Sequence, residues 1–205
     1  MGKIFVDIGL SLDGFIAGTN RGPRNPLGDA GTRIHEWVYN LACFHERLGL
    51  SGGVRNADND VLEATFARAG AYVMGRRMFD EGEVGWPENA PFHAPVFVVT
   101  HQPREPWVRP GGTTFTFVTD GIERALEQAR AAAAGRDVRV SGGADVIRQY
   151  LRAGVVDELI IHLAPVVLGQ GLRLFEDASL QSLVLEPVEV VGSGKATHLK
   201  YRLRK

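Results

Sequence analysis

The stretch Arg136–Leu151, RDVRVSGGADVIRQYL, reads as a short strand over Asp137–Val140, a turn through Ser141, Gly142 and Gly143, and a helix beginning near Ala144 or Asp145. Val146, Ile147, Tyr150 and Leu151 recur at helical spacing and supply its apolar face. The turn therefore sits at a helix N-terminus, where unpaired N–H groups and the positive end of the dipole attract anions. Paired glycines let the backbone approach a ligand closely. The same residues also describe a tight strand-to-helix turn with Ser141 as cap. The pair lacks the G-x-G-x-x-G spacing, and no G-x-x-x-x-G-K-[ST] loop precedes it, so the neighbouring segments decide.

Two upstream segments repeat the pattern of a strand ending in polar or cationic residues. Gly70–Met74 is a strand leading into Gly75, Arg76 and Arg77, where two guanidinium groups offer bidentate phosphate contacts beside helix N-terminal amides. Pro95–Thr100 is a buried strand followed by His101, Gln102 and Arg104. Phe115–Val118 adds a strand and Ile122–Ala134 an alanine-rich helix.

At the N-terminus, Lys3–Leu10 is apolar almost throughout and suits a strand buried on both faces. Asp13-Gly14 then makes a turn before the second apolar piece, Phe15–Gly18. Thr19–Gly31, rich in Gly, Pro and Asn, predicts a mobile surface loop, of the kind that can serve as a lid. The spacing of Ile34, Trp37, Val38, Leu41, Ala42 and Leu48 predicts a helix over Arg33–Leu48, and Asp58–Ala69 a second helix capped by Asn or Asp. Downstream, Leu159–Val167 reads as a buried strand carrying His162 as a satisfied interior histidine. Leu183–Val191 with Thr197–Leu203 reads as an antiparallel hairpin.

The 205 residues, with 23 Lys and Arg against 24 Asp and Glu, give a net charge of -1 and no basic stripe of the kind nucleic-acid binding requires. One domain over 1–205 and a small-molecule partner are expected. No run approaches the ~20 apolar residues of a membrane helix, which predicts a cytoplasmic protein without membrane contact. Cys43, the single cysteine, reads as a small core residue of a helix. The pairs His35-Glu36 and His45-Glu46 do not complete H-E-x-x-H, since Tyr39 and Gly49 occupy the fifth positions, so no metal centre is predicted.

Taken in order, Ser-Leu-Asp-Gly at 11–14, Met-Gly-Arg-Arg at 74–77, Val-Thr-His at 99–101, Ser-Gly-Gly-Ala at 141–144 and Val-Asp-Glu-Leu…Ala-Pro-Val-Val-Leu-Gly over 156–169 resemble the dihydrofolate reductase-like superfamily. More narrowly they resemble the reductase domain of bacterial riboflavin-biosynthesis proteins and its stand-alone relatives. The resemblance implies a three-layer α/β/α fold around a mixed, mostly parallel sheet with an antiparallel C-terminal hairpin. It implies an NADPH-dependent reductase acting on a riboflavin-pathway pyrimidine ribosylamine or a pterin-like compound, or else a non-catalytic NADP(H)-binding or regulatory protein on the same fold.

By the same resemblance, Ser141, Gly142, Gly143 and the amides of Ala144 and Asp145 would hold the pyrophosphate, and Gly75, Arg76 and Arg77 other phosphate oxygens. Thr100 and His101 would flank the adenosine 2′-phosphate, with Arg77, His101 and Arg104 as its cations. Asp13, the expected catalytic residue, would lie near the nicotinamide with Gly14 and Ala17; Trp37 and Asp60 are the candidate substrate contacts. Glu36, Asp60 or water are the other proton sources. A homodimer is expected, because the C-terminal hairpin would otherwise expose a sheet edge.

Overall fold

A computed structural model describes residues 2–204. Among them, nine strands form one twisted sheet. In chain order the elements are β1 (Ile4–Ser11), β2 (Phe15–Ala17), α1 (Ala42–Arg47), α2 (Ala57–Arg68), β3 (Ala69–Gly75), α3 (Arg76–Glu83), β4 (Val96–Val99), β5 (Trp107–Val108), β6 (Thr114–Val118), α4 (Gly121–Ala132), β7 (Asp137–Gly142), α5 (Ala144–Arg152), β8 (Glu158–Ala164), β9 (Leu172–Arg173), β10 (Leu185–Gly192) and β11 (Thr197–Leu203). The sheet order is β10-β11-β8-β1-β7-β3-β4-β6-β5, with β2 and β9 paired separately. The central pairings from β8 to β6 are parallel, and β10, β11 and β5 run antiparallel to their neighbours.

Alternation along the central strands sends side chains to two cores, which is why near-continuous apolar runs were needed. Ile4, Val6, Ala71, Val73, Leu159 and Ile161 face α4 and α5, where Leu126, Ile147 and Tyr150 cover them. Phe5, Tyr72, Met74, Val96, Val98 and Ile160 face the other way, toward Phe79 of α3 and an aromatic group around Phe115. Each fully buried Leu, Ile or Phe contributes roughly 1.5–3 kcal/mol. Helices therefore cover both faces, the three-layer arrangement expected, and the antiparallel hairpin sits at the edge beyond β8. No helix among the described residues is long and apolar enough to cross a membrane.

The helix expected over Arg33–Leu48 is not there. A single 3-10 turn covers Gly31–His35, turns continue over 36–40 with Val38 N–H donating to the His35 carbonyl and Leu41 N–H to the Val38 carbonyl, and α1 begins only at Ala42. Trp37, Val38, Tyr39 and Asn40 are weak helix formers, and a competing partner takes the backbone instead. Val54 N–H donates to the Asn40 carbonyl, and Ala42 N–H donates to Val54. The apolar residues that suggested helical spacing are still inside: Ile34, Trp37, Leu41 and Ala42 are all buried.

The loop over 19–31 is also more tied down than its composition suggests. Asp29 accepts hydrogen bonds from Thr19, Asn20 and Asn25, and Glu81 of α3 holds Arg21 at 2.9 Å and the Leu27 amide at 3.3 Å. Asn20, Leu27 and Ala30 all have positive φ, a conformation that only such dense local bonding maintains. The loop is an ordered flap packed on α3.

Candidate dinucleotide site

Parallel connectivity brings the C-terminal ends of β3, β4 and β7 side by side, and α3 and α5 start at two of those ends. A groove of about 470 Å³ opens there. Gly75, Arg76 and Arg77 line it at the end of the middle strand β3, flanked by Gly143, Ala144 and Asp145 after β7 and by Thr100 and His101 after β4. Three segments separated by dozens of residues thus meet at one cleft at the strand ends, where open α/β sheets place ligands.

The close approach depends on small residues. A Cβ at Gly75 would lie 3.0 Å from Val146 Cγ2, so glycine lets the start of α5 pack against the end of β3. Gly142 has φ +136 and a Cβ there would come within 3.0 Å of Met78 Sδ. The Gly142–Gly143 peptide is cis. Gly143 then caps α5 without any side-chain bond, so the expected alternative role of Ser141 as cap is not realised. Ser141 is buried, with its hydroxyl unpartnered.

The first backbone bond of α5 runs from Ile147 N–H to the Gly143 carbonyl, 3.1 Å. The amides of Ala144, Asp145 and Val146 therefore have no intrahelical acceptor. In the same groove, Arg77 is exposed and makes no ion pair among the described residues, while Arg76 is held by Asp80 at 2.7 Å. The Thr100 hydroxyl is engaged locally with Gln102, and His101 is exposed. Arg104 does not reach the groove. It forms a two-pronged pair with Glu83, at 2.5 and 2.9 Å, and lies over Phe79, Trp107 and Phe117. Free donors with an available cation suit a polyanion better than a neutral ligand.

The other expected site residues lie elsewhere. Asp13 accepts from the Ser11 hydroxyl at 2.7 Å and from the Leu168 and Gly169 amides at 3.1 and 2.7 Å, and the Arg173 guanidinium donates to its carbonyl. Desolvation opposes its ionisation, but these hydrogen bonds outweigh it and hold the carboxyl at about 2. At neutral pH it is a carboxylate with no proton to give, pinning the 168–173 segment to the β1–β2 turn. Ala17 is buried in β2; its partner across the ladder, Leu172, is the residue that reaches the groove. Asp60 lines a different cleft, about 400 Å³, between α2 and the β10–β11 hairpin. The cations there are already engaged, Arg68 by Asp137 and Glu158 and Lys200 by Glu158.

Trp37 is buried against two imidazoles, its ring 4.7 Å from that of His162 and 4.9 Å from that of His198. Those histidines belong to a buried polar chain: His162 is the interior histidine expected from the sequence, while its links to Asp7 and His198 were not foreseen. Arg139 contacts Asp7 at 2.6 Å, and Thr65 donates to the same carboxylate. His162 Nε2 lies 3.2 Å from Asp7, and His198 Nε2 lies 2.8 Å from Asp58. Burial raises the Asp7 carboxyl, but the charges of Arg139 and His162 outweigh it and hold it well below the carboxylate range. The signal was a lone Asp inside the apolar run KIFVDIGL. Cys43 is buried, and desolvation pushes its thiol up to about 11, which makes it inert packing.

Comparison with known proteins agrees with the sheet. The uncharacterized protein YwjB of Bacillus subtilis is 34% identical over 62 residues, covering 30% of this chain and 35% of that one. A second from the same organism, YyaP, is 36% identical over 61 residues, 30% of this chain and 32% of that one. The chain thus spans about a third of the length of these curated relatives. Among solved structures, a putative riboflavin biosynthesis protein from Shewanella sp. PV-4 superposes with a TM-score of 0.63 at 23% identity over 100% of both chains. Dihydrofolate reductase from Enterococcus faecalis, solved with NADP(H), gives 0.58 at 15% identity over 100% of this chain and 98% of that one. These two establish the dihydrofolate reductase-like fold. The model of the RibD C-terminal domain matches residues 2–199, and the chain belongs to that family.

Proposed function

We propose that this chain is an NADPH-dependent reductase that passes a hydride to a small heterocyclic substrate, a pyrimidine ribosylamine or a pterin-like compound. The observation that carries the reading is the meeting of three anion-ready strand ends in one groove. In this reading the amides of Gly143, Ala144 and Asp145 hold the pyrophosphate beside Gly75 and Arg76. Arg77 and His101, at the Thr100 end, take the 2′-phosphate. The bound cofactor supplies the hydride. The protein holds the two reactants in register; strand ends set in a packed sheet suit that task.

Asp13 serves here as a positioning residue for the 168–173 segment, and the proton comes from water or another pocket group. The reading is tested by titrating NADPH against intrinsic fluorescence, then following NADPH oxidation with a panel of both substrate types. A second reading, a non-catalytic NADP(H)-binding protein, is favoured by Trp37, an expected substrate contact that packs into the core. Cofactor binding with no turnover on any compound selects it.

We further propose a homodimer in which a second copy covers Val184, Leu185, Val188 and Val190, all exposed along the β10 edge. Light scattering at working concentration distinguishes dimer from monomer.

A further inference from the structure

The flap over 19–31 sends one side chain into the groove, Arg21. Its guanidinium is mostly covered, with 14% of the side chain accessible, and Glu81 takes one of its nitrogens at 2.9 Å. Its Nε is buried and has no hydrogen-bond partner. Arg21 is therefore a partly buried cation at the groove wall with donor capacity that Glu81 does not use up. Glu81 is itself buried and also accepts the Leu27 amide, so it fixes the flap and the guanidinium together.

We infer that Arg21 is a phosphate ligand on the flap, held beside α3 by Glu81 and facing the same groove as the helix N-termini. This rests on the cofactor reading above and adds to it a residue outside the three strand-end turns. The other groove residue from this side is Leu172, which pairs with Ala17 just before the flap begins. Arg21 and Leu172 therefore line the groove where β2 and β9 lie, and Arg77 and His101 belong to the turns beyond β3 and β4. A cation on the β2 side meets the pyrophosphate, which NADPH and NADH share, and not the 2′-phosphate that distinguishes them.

The test measures NADPH and NADH dissociation constants by calorimetry at two salt concentrations for the wild type, Arg21→Ala, Arg21→Lys and Glu81→Gln. Arg21→Ala is expected to weaken both cofactors by about tenfold or more, with an unchanged ratio between them and a smaller salt dependence. Arg21→Lys restores part of the loss. Glu81→Gln separates ligation from flap anchoring: a phosphate ligand keeps its affinity or gains when the neighbouring carboxylate is neutralised. Wild-type binding with Arg21→Ala unchanged, or with Glu81→Gln as weak as Arg21→Ala, overturns the inference and leaves the cofactor reading standing. A wild type that binds neither cofactor overturns both.

Discussion

His162 Nδ1 lies 2.7 Å from His198 Nδ1, deep between β8 and β11. Two imidazole nitrogens at that distance need one N–H and one lone pair. The outer nitrogen of His198 faces the Asp58 carboxylate at 2.8 Å and must carry a proton. Desolvation pushes His198 below the ordinary imidazole value, opposed by its hydrogen bond to Asp58, so it holds only that one proton. Its Nδ1 is then the acceptor and His162 the donor. Nitrogen-15 NMR of the imidazoles at neutral pH should show the Nε2–H tautomer for His198; an Nδ1–H tautomer contradicts the assignment. His198→Ala leaves the buried Asp58 without its partner. It should cost about 3 kcal/mol in a denaturant titration, and a loss within 0.5 kcal/mol would show the link to be idle.

Acid should destabilise the fold in two stages. Desolvation holds His35, laid against Gly9, at about 4, with the nearby charges of His162 and Arg139 adding to the effect. Since the unfolded chain binds that proton more readily, the contribution is full above 6.5 and is lost as pH falls from 6.5 toward 4. Glu158 is opposed by desolvation but held at about 2 by hydrogen bonds from Lys3 and Arg68, so its contribution disappears between 4.5 and 2. Melting temperature against pH should show both limbs, and His35→Gln should make the upper one shallower. An unchanged upper limb would remove His35 from this role.

Asp13→Asn keeps the side chain's size but weakens its hold on two backbone amides. Hydrogen exchange at Leu168 and Gly169 should quicken, and any loss of turnover should come without a shift in the acid limb of the pH–rate profile. A shifted limb would return Asp13 to the role of proton donor.

Gly142→Ala places a Cβ at φ +136 and 3.0 Å from Met78. It should cost about 1–3 kcal/mol of stability and weaken cofactor binding together, because the same turn orients the α5 amides. Wild-type stability in this variant would show that the turn relaxes without cost.

The groove was legible because its components are local. A strand followed by Gly-Arg-Arg, Thr-His or Ser-Gly-Gly-Ala states where free amides and cations will lie, whatever surrounds them. The buried central strands followed from apolar runs such as PVFVVT. What failed depended on distant partners. The periodicity of Ile34, Trp37 and Leu41 resembled a helix because burial was real, yet Val54 claimed the backbone bonds a helix needs. Arg104 looked free until Glu83 folded beside it, and Asp13 looked reactive until the 168–169 amides saturated it. The Asp7–His162–His198–Asp58 chain joins four elements and leaves in the sequence only a lone acid and the lone His162, each inside an apolar run.

The most direct test of the central claim is amide chemical-shift mapping with NADPH added to the intact, isotopically labelled protein. Shifts should concentrate at Gly75, Arg76 and Arg77, at Thr100 and His101, and at Gly143, Ala144 and Asp145, with NADH perturbing the middle group less. Shifts confined to the cleft between α2 and the hairpin, or none at saturating cofactor, would contradict it.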